Sequence, residues 1–175
     1  MSREYDQIIY NTAIAEGFTP TAAKFVVAQA RFESADYTSR VFRENLNTSG
    51  MKYVGQPLAT KGSLSPEGNY YAKFRSVEDS AKDKISRNYN ITMKGVTPEQ
   101  LKTAQTPEQF ASLLKRRGYY GSAESEYAAG LKATLLRVQV VEFVSKNKNL
   151  LLIGVVLVGI GAYLFYLKKK GLFKK

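Results

Sequence analysis

Apolar residues recur every three to four positions along most of the chain before residue 140, which is the spacing of one helical face. The first such face consists of Tyr5, Ile8, Ile9, Thr12 and Ala13. Gly17 follows and is expected to end this helix. Thr19 and Pro20 then provide an N-cap and a proline at the first helical position, which predicts a second helix that runs to about Ser34.

The pattern changes between residues 50 and 74, where glycines and prolines interrupt short apolar runs. Such spacing is typical of a hairpin or small sheet, and Pro66-Glu67-Gly68 predicts its turn. Ser76 opens the next helix with a Ser-x-x-acid cap. Residues 97–100 and 106–109 both read TPEQ, and each predicts a helix start by a capping box with proline at the first helical position.

A last long helix is predicted from about Ala123 and would continue, or bend once, towards the C-terminus. Its apolar stripe consists of Tyr127, Leu131, Leu135 and Val138. Helices grouped around a small β hairpin lobe make the predicted fold class α+β.

Residues 150–167 form the longest apolar run, LLLIGVVLVGIGAYLFYL, and contain no charged residue. As a helix this run would span roughly 27 Å, close to the thickness of a bilayer's hydrocarbon core. Lysines flank it on both sides, and Tyr163, Phe165 and Tyr166 would lie near one interface. The predicted organisation is a domain over 1–145, a polar boundary at 146–149, a transmembrane helix at 150–167 and a basic tail at 168–175.

The predicted location is therefore a membrane that is crossed once, with the large domain outside the bilayer. The five positive charges after the run favour a cytoplasmic C-terminus, although Arg137, Lys146 and Lys148 precede it at close range. The first residues, MSREYDQIIYN, have no apolar segment and do not resemble a signal peptide. A domain that acts outside the cell then needs another route, which lysis or a membrane-containing virus particle would provide.

The composition restricts the chemistry that this chain can perform. It has no cysteine and no histidine, which excludes a disulfide framework, a histidine-ligated zinc site and a nucleophile activated by a histidine base. Carboxylates and tyrosines must therefore transfer any protons. No metal site and no cofactor is predicted. The net charge of +11 would suit nucleic acid, anionic lipid or anionic wall polymer, but the charges are scattered and no nucleic-acid motif is present.

One carboxylate stands out in the segment FVVAQARFE, residues 25–33. Gln29 and Glu33 are four residues apart and therefore neighbours on one helical face. Phe25 and Phe32 would partly remove Glu33 from water, and desolvation raises the pKa of a carboxyl group. A raised pKa suits a general acid that must retain its proton near neutral pH. The segment alone also fits a half-exposed surface glutamate.

Four segments in order carry a resemblance to a known family: AQARFESADYTS, NLNTSGMKY, YAKFRSVEDSAKD and RRGYYGSAESEY. Together they resemble the N-acetylglucosaminidase domain of bacterial autolysins, flagellar wall hydrolases and phage lysins. The resemblance extends over about Phe25 to Leu136. It implies a lysozyme-like fold, mostly helical with a small β hairpin lobe, and cleavage of glycosidic bonds in peptidoglycan.

The resemblance also implies roles for individual residues. The family's catalytic acid corresponds to Glu33, and Gln29 lies beneath it as a residue that shapes the site. Tyr119 matches a tyrosine near the cleft, which would orient a water or the acetamido group of the substrate. Further predicted substrate contacts are Asn45, Lys52, Tyr120 and Tyr127.

The sequence departs from the family's pattern in two places. It has no tryptophan where the family often has one, and Tyr37 is expected to replace that stacking surface. It also lacks the acid that the family often has on the first hairpin strand, which leaves Glu67 in the turn and Asp36 near Glu33 as candidates. A 2-acetamido group on the substrate can itself stabilise the transition state, so Glu33 could act as the only catalytic carboxylate.

The predicted function is a membrane-anchored peptidoglycan hydrolase, an endo-β-N-acetylglucosaminidase carried in the internal membrane of a virus particle for wall penetration. Its predicted partners are glycan strands, the lipid bilayer and other proteins of the virion or membrane; nucleic acid is not expected. Two alternatives remain open. One is a lytic transglycosylase or muramidase, and the other is a non-catalytic glycan-binding or structural membrane protein of a virion.

Overall fold

Seven α-helices, one π-helical turn and a two-stranded hairpin make up the described part, residues 2–140, of the computed structural model. In chain order they are α1 (Ser2–Ala15), α2 (Pro20–Glu33), α3 (Arg40–Asn45), β1 (Ala59–Leu64), β2 (Tyr70–Phe74), α4 (Val77–Lys84), the π turn (Ile85–Tyr89), α5 (Pro98–Lys102), α6 (Pro107–Arg117) and α7 (Glu124–Leu135). The predicted architecture, mostly helical with a small hairpin, is confirmed.

Side-chain caps start the helices where the sequence predicts them. The hydroxyl of Thr19 accepts a hydrogen bond from the Ala22 N–H at 3.2 Å, and Pro20 is the first residue of α2. The hydroxyl of Ser76 accepts from the Asp79 N–H at 3.0 Å and so begins α4. These bonds satisfy N–H groups that have no partner within the helix.

The two TPEQ segments both start helices, but only the first is a complete capping box. Thr97 and Gln100 each accept the other's backbone N–H through their side chains. In the second, the hydroxyl of Thr106 accepts the Gln109 N–H at 3.1 Å, whereas the Gln109 side chain accepts from the Gln105 N–H at 2.8 Å. The predicted reciprocal box is therefore wrong in one bond, because the glutamine reaches one residue further back.

The hairpin consists of β1 and β2, paired antiparallel with Ala59 opposite Phe74 and Leu64 opposite Tyr70. In the turn between them the Gly68 N–H donates to the C=O of Ser65 at 3.0 Å. Gly68 has a φ of 81°, a conformation that glycine adopts without steric cost. The turn lies where the sequence predicts it.

Asn45, the last residue of α3, holds the hairpin against the helices. Its Oδ1 accepts the Ser63 N–H at 3.0 Å, and its Nδ2 donates to the Ser63 hydroxyl at 2.7 Å and to the C=O of Val41 at 3.1 Å. Gly62 lies so close that a Cβ there would stand 2.1 Å from Asn45 Oδ1. A larger residue at this position would push the hairpin away from α3.

α2 lies at the centre of the core and packs against α1, α5, α6 and α7. Its buried residues surround the helix rather than forming one stripe. Aromatic rings extend this packing, since Phe25 lies 5.8 Å from Phe110 and Phe110 lies 6.0 Å from Tyr89, centroid to centroid. A helix that is packed on all sides in a dense core has little freedom to shift, so the side chains at its end occupy fixed positions.

α7 is shorter than the sequence predicts. It ends at Leu135, and the N–H groups of Arg137 and Val138 donate to carbonyls three residues before them at 2.9 and 3.1 Å. Val138 therefore follows the helix instead of continuing its stripe. Within residues 2–140, no helix has the length and apolar character needed to cross a bilayer. The predicted span at 150–167, with its flanking segments, lies outside the described residues.

Candidate active site

Glu33 is the last residue of α2, and the chain bends sharply directly after it. Ala35, Asp36 and Tyr37 have positive φ angles of 50°, 55° and 65°. This left-handed conformation costs a non-glycine residue of order 1 kcal/mol and persists only where the surroundings impose it. The Ser34 hydroxyl contributes by accepting the Tyr37 N–H at 3.0 Å.

A buried ion pair between α1 and α2 supports this bend. Arg31 donates through Nε and Nη2 to both carboxylate oxygens of Asp6, at 2.8 to 3.0 Å. Asp6 is completely buried and also accepts from the Tyr37 hydroxyl at 2.8 Å and the Gln139 N–H at 3.1 Å. The bonds to Asp6 raise the pKa of Arg31 above its ordinary value. Because Arg31 lies two residues before Glu33, this network fixes the end of α2.

Four side chains donate hydrogen bonds to the Glu33 carboxylate. Its Oε1 accepts from Gln29 Nε2 at 2.9 Å and from the Tyr127 hydroxyl at 2.8 Å. Its Oε2 accepts from Lys84 Nζ at 3.0 Å and from the Tyr119 hydroxyl at 2.8 Å. A carboxylate offers about four acceptor positions, so the set is complete. Only 15% of the Glu33 side chain is exposed.

Gln29 connects the two sides of this site. Its fully buried amide donates to Glu33 and also to the Tyr127 hydroxyl, at 2.8 Å. Its Oε1 accepts a hydrogen bond from the Tyr89 hydroxyl. With the amide nitrogen and the carbonyl both engaged, the side chain has a single favourable orientation. The predicted contact between Gln29 and Glu33, one helical turn apart, is present. A role of Gln29 in binding substrate stays a prediction.

The three tyrosines of the site are fixed as hydrogen-bond donors. Burial raises the pKa of Tyr89, Tyr119 and Tyr127 above the ordinary value, and the negative charge of Glu33 raises it further. Their hydroxyls therefore stay protonated throughout the neutral range. Tyr89 reaches Glu33 through Gln29, whereas Tyr119 and Tyr127 contact it directly.

Tyr120 supports the site from behind. Its ring stacks on that of Tyr127 with centroids 3.8 Å apart and an angle of 8° between the planes. Its hydroxyl donates to the C=O of Ala111 at 2.9 Å rather than to the Glu33 carboxylate. On the other side, Phe32 meets Tyr127 edge-on at 5.6 Å and is 42% exposed. The structure thus places a partly exposed aromatic ring against a tyrosine that binds the carboxylate.

Lys84 is a residue of the site that the sequence analysis missed. It ends α4, its side chain is 2% exposed, and burial lowers the pKa of its amino group while Glu33 opposes that shift. Lys84 follows Ala81 by three residues and Val77 by seven, and both of these are buried on the inner face of α4. This spacing places Lys84 on the same buried face. The π turn that begins after Lys84 ends at Tyr89, and such turns are frequent at functional sites.

Tyr37 lies in the core rather than in an open cleft. Its ring is 6% exposed and packs against Tyr5 at 5.4 Å and Phe42 at 5.3 Å, centroid to centroid. A sugar stacks only on an exposed ring face, so the structure contradicts the predicted stacking role. Asn45 is likewise buried, with its amide engaged by the hairpin and α3, and its position indicates a structural contact rather than a substrate contact.

The candidate second carboxylates do not contact Glu33 in the described part of the chain. Glu67 lies in the exposed hairpin turn and pairs with Lys52 at 2.8 Å. This hydrogen bond lowers the pKa of Glu67 to about 2. Asp36 pairs with Arg31 and, at 2.7 Å, with Arg137. Catalytic roles for Glu67 and Asp36, and substrate contact by Lys52, stay predictions.

The chemistry that this arrangement supports is proton transfer at one carboxylate. The partners of Glu33 are all hydrogen-bond donors, which leaves no ligand set for a cation. Among residues 2–140, no group of three or more acidic side chains is placed to hold a metal ion.

This fold and site define a lysozyme-like glycoside hydrolase. The sequence model of the glucosaminidase family, described as mannosyl-glycoprotein endo-beta-N-acetylglucosaminidase, matches residues 11–139. Because this match covers most of the chain, the chain belongs to the glucosaminidase family, which confirms the resemblance carried by the four segments. No curated protein matches the chain in sequence.

Solved structures have a similar fold at low sequence identity. A type VI secretion system effector–immunity complex from Pseudomonas protegens is 22% identical with a TM-score of 0.58, covering 78% of this chain and 90% of its own. The catalytic domain of the autolysin Auto from Listeria monocytogenes is 21% identical with a TM-score of 0.55, covering 78% and 81%. The glycoside hydrolase domain of FlgJ from Salmonella typhimurium is 16% identical with a TM-score of 0.54, covering 97% and 99%.

Proposed function

We propose that this chain cleaves the glycan strands of peptidoglycan as an endo-β-N-acetylglucosaminidase, with Glu33 as its catalytic acid. The observation that carries this proposal is the set of four donors on a single, mostly buried carboxylate at the end of the central helix. A carboxylate that has only donors around it can give up a proton and be stabilised as the resulting anion. This is the requirement for protonating a leaving group.

The reaction then needs few groups from the protein. Glu33 gives its proton to the glycosidic oxygen as the bond between that oxygen and the anomeric carbon breaks. The 2-acetamido group of the sugar stabilises the developing positive charge, which a second carboxylate does in most glycosidases. Water adds its hydroxyl to the anomeric carbon, and the remaining proton returns to Glu33. Proton and charge are thereby restored at the end of each cycle.

The substrate has to replace one donor before it can take the proton. Tyr119 is the partner that we infer the substrate displaces, because it is partly exposed as a whole residue whereas Gln29, Lys84 and Tyr127 are buried. Its hydroxyl is itself buried against Glu33, so the side chain must move aside first. It also lies in the irregular segment that follows α6, beyond Gly118, rather than within a helix. We assign to Tyr119 the position that the glycosidic oxygen takes over, after which its hydroxyl is free to orient water or the acetamido group.

Peptidoglycan is the proposed substrate because of the relatives and the charge. The solved structures of similar fold include an autolysin domain and a peptidoglycan hydrolase from Sphingomonas. Residues 1–149 carry 21 basic and 15 acidic side chains, a net charge of +6 that would attract the domain to an anionic wall polymer. A glycosidase for neutral oligosaccharides would gain nothing from that charge.

We also propose that residues 150–167 anchor the enzyme in the membrane of a virus particle, from which it would open the wall during entry. The uncharged run of 18 residues and the lysines on both sides support the anchor. Mixing the full chain with liposomes and floating them on a density gradient tests it. The full chain should rise with the lipid and a chain ending at residue 149 should not. Detecting the protein in purified particles tests the viral location, and its absence there would contradict that location.

The wall activity is tested with purified peptidoglycan and mass spectrometry of the products. New reducing ends of N-acetylglucosamine would support the proposal, anhydro-muramic ends would indicate a lytic transglycosylase, and reducing muramic ends a muramidase. The Glu33→Gln variant keeps the size of the side chain and one acceptor oxygen but carries no transferable proton. It should lose at least about 100-fold in turnover. Because it also removes the charge opposite buried Lys84, it should be less stable, and circular dichroism first establishes that it is folded. Unchanged turnover would remove Glu33 from the mechanism, and no product from the wild type would favour a binding role.

A further inference from the structure

Lys84 and Glu33 form a buried pair that differs from the other ion pairs of the described residues. Its Nζ lies 3.0 Å from Oε2, with 2% of the lysine and 15% of the glutamate side chain exposed. The remaining pairs either lie at the surface or, as with Asp6, involve an arginine. An arginine side chain does not release its proton in proteins, whereas a buried lysine does so readily.

The pair can hold its protons in two arrangements of the same total charge. In one, an ammonium faces a carboxylate; in the other, one proton has moved from Nζ to Oε2, leaving a neutral amine beside a neutral carboxylic acid. Removing two charges from water costs several kcal/mol per ion, and this cost falls on the first arrangement only, where the attraction between the two charges offsets part of it. Desolvation is the larger effect and lowers the pKa of the Lys84 amino group, while the charge of Glu33 and its hydrogen bond act in the opposite direction.

We propose that Lys84 is a positioning residue that stores the proton which Glu33 delivers, by transferring it across the contact between Nζ and Oε2. The inference rests on the proposed glycosidase function. Four donors surround the Glu33 carboxyl group, and within residues 2–140 no second carboxylate contacts it. Proton storage on Lys84 explains how this carboxyl group becomes an acid at neutral pH. The proton need not come from solvent.

The transfer is balanced within the pair. The N–H bond of the ammonium breaks, its electron pair stays on nitrogen, and an O–H bond forms on Glu33. The carboxyl O–H then turns from Lys84 towards the side that the substrate takes from Tyr119. Three tyrosines from the surrounding elements lie close enough to influence the charges of this pair: Tyr89, Tyr119 and Tyr127. Arg117 influences it indirectly, by its charge on Tyr89.

Two substitutions at position 84 separate proton storage from simple positioning. Lys84→Arg keeps a cation that can bind Glu33 but cannot release a proton, so Glu33 stays ionised and turnover should fall at least about 100-fold. Lys84→Met removes the cation and leaves Glu33 to take up a proton itself, so turnover should exceed that of the arginine variant. If Lys84 only held the carboxylate by charge, arginine would be the better replacement and this order would be reversed.

The pH profile provides the second measurement. In the wild type the pair retains its shared proton until the lysine is titrated, so the alkaline limb of turnover should lie above the range of a lone carboxyl group. In Lys84→Met that limb should move to lower pH. Circular dichroism first establishes that each variant is folded. If the arginine variant is unfolded, the limb of the methionine variant decides, and an unmoved limb would overturn the proposal.

An infrared difference spectrum between wild type and Glu33→Gln observes the pair without any turnover. At neutral pH the wild type should show the C=O band of a protonated carboxyl group, and Lys84→Arg minus its own Glu33→Gln form should show only carboxylate bands. A wild-type spectrum with carboxylate bands alone would overturn proton storage. This readout is independent of the wall assay, so a chain that cuts no peptidoglycan would refute the proposed function and still leave the state of the pair measurable.

Discussion

The hydroxyl of Tyr127 donates to Oε1 of Glu33 at 2.8 Å across a separation of 94 residues in the chain. The same hydroxyl accepts from Gln29 Nε2 at 2.8 Å, so it is held between the carboxylate and the amide that also binds it. α7 therefore completes a site that begins on α2. Glu33 can therefore have its full set of donors only after α7 has folded against α2.

Tyr127→Phe should slow catalysis while leaving the fold intact. Proton donation leaves a carboxylate on Glu33, and the lost hydroxyl would have stabilised it by about 1.5–3 kcal/mol, which corresponds to roughly 10- to 150-fold in turnover. Release of reducing ends from peptidoglycan measures the effect. Tyr5→Phe is the control, since Tyr5 packs by its ring against Tyr37 and Phe42 away from Glu33. Equal rates for both variants would show that Tyr127 does not act through the carboxylate.

Asp6→Asn should destabilise the domain strongly. It removes the charge opposite Arg31 in a buried pair, and losing one partner of such a pair costs about 3–5 kcal/mol. Urea denaturation measures the free energy of unfolding. Arg40→Gln serves as a comparison because it opens an ion pair with Glu44 at the surface, where no measurable change is expected. Similar curves for the two variants would mean that the buried network adds nothing to stability.

Glu67→Gln should keep turnover within about twofold of the wild type, because its carboxylate is solvated and paired with Lys52 rather than with Glu33. The matched control is Glu44→Gln, which opens another exposed pair, with Arg40. A large loss confined to the Glu67 variant would instead identify the second carboxylate that the resemblance to the family leads one to expect. The assay is again the release of reducing ends.

Asp83 should make the domain more stable as the pH falls. Its buried carboxylate has one oxygen without a hydrogen-bond partner, 3.9 Å from Arg87 Nε, and desolvation outweighs the charge of Arg87 and raises the pKa of Asp83 in the folded state. Between the ordinary and the raised pKa, the folded form binds more protons than the unfolded form, so the contribution of Asp83 to stability is lost as the pH rises through that window. Asp83→Asn should remove this dependence and be at least as stable at pH 7. Thermal unfolding over a pH series measures it, and identical slopes would contradict the assignment.

The sequence predicted most of what depends on near neighbours in the chain. The caps at Thr19 and Ser76 and the turn at Gly68 involve partners within a few residues, and all lie where expected. The contact between Gln29 and Glu33 follows from their spacing of four residues on one helix. Gln109 was wrong by one bond because two backbone N–H groups lie within its reach.

Contacts between distant segments were predicted only where the family resemblance pointed to them. It placed Tyr119 and Tyr127 near Glu33, but it assigned Tyr37 to sugar stacking, although the Asp6–Arg31 network draws that ring into the core. Lys84 was missed because a lysine is ordinarily a surface residue. Its spacing from buried Val77 and Ala81 indicates a buried lysine only when an acid is known to face it.

By itself, the sequence determined that this is a helical domain with a hairpin, that Glu33 lies near the end of the second helix beside Gln29, and that histidine-dependent and cysteine-dependent chemistry, including a histidine-ligated zinc site, is excluded. These follow from periodicity, capping and composition, which act locally. Only the tertiary structure decided that four donors surround Glu33 and that one of them is a buried lysine. Those positions depend on how α2, α4 and α7 pack. Packing brings together residues that are far apart in the sequence, and local sequence patterns do not specify the distances between them.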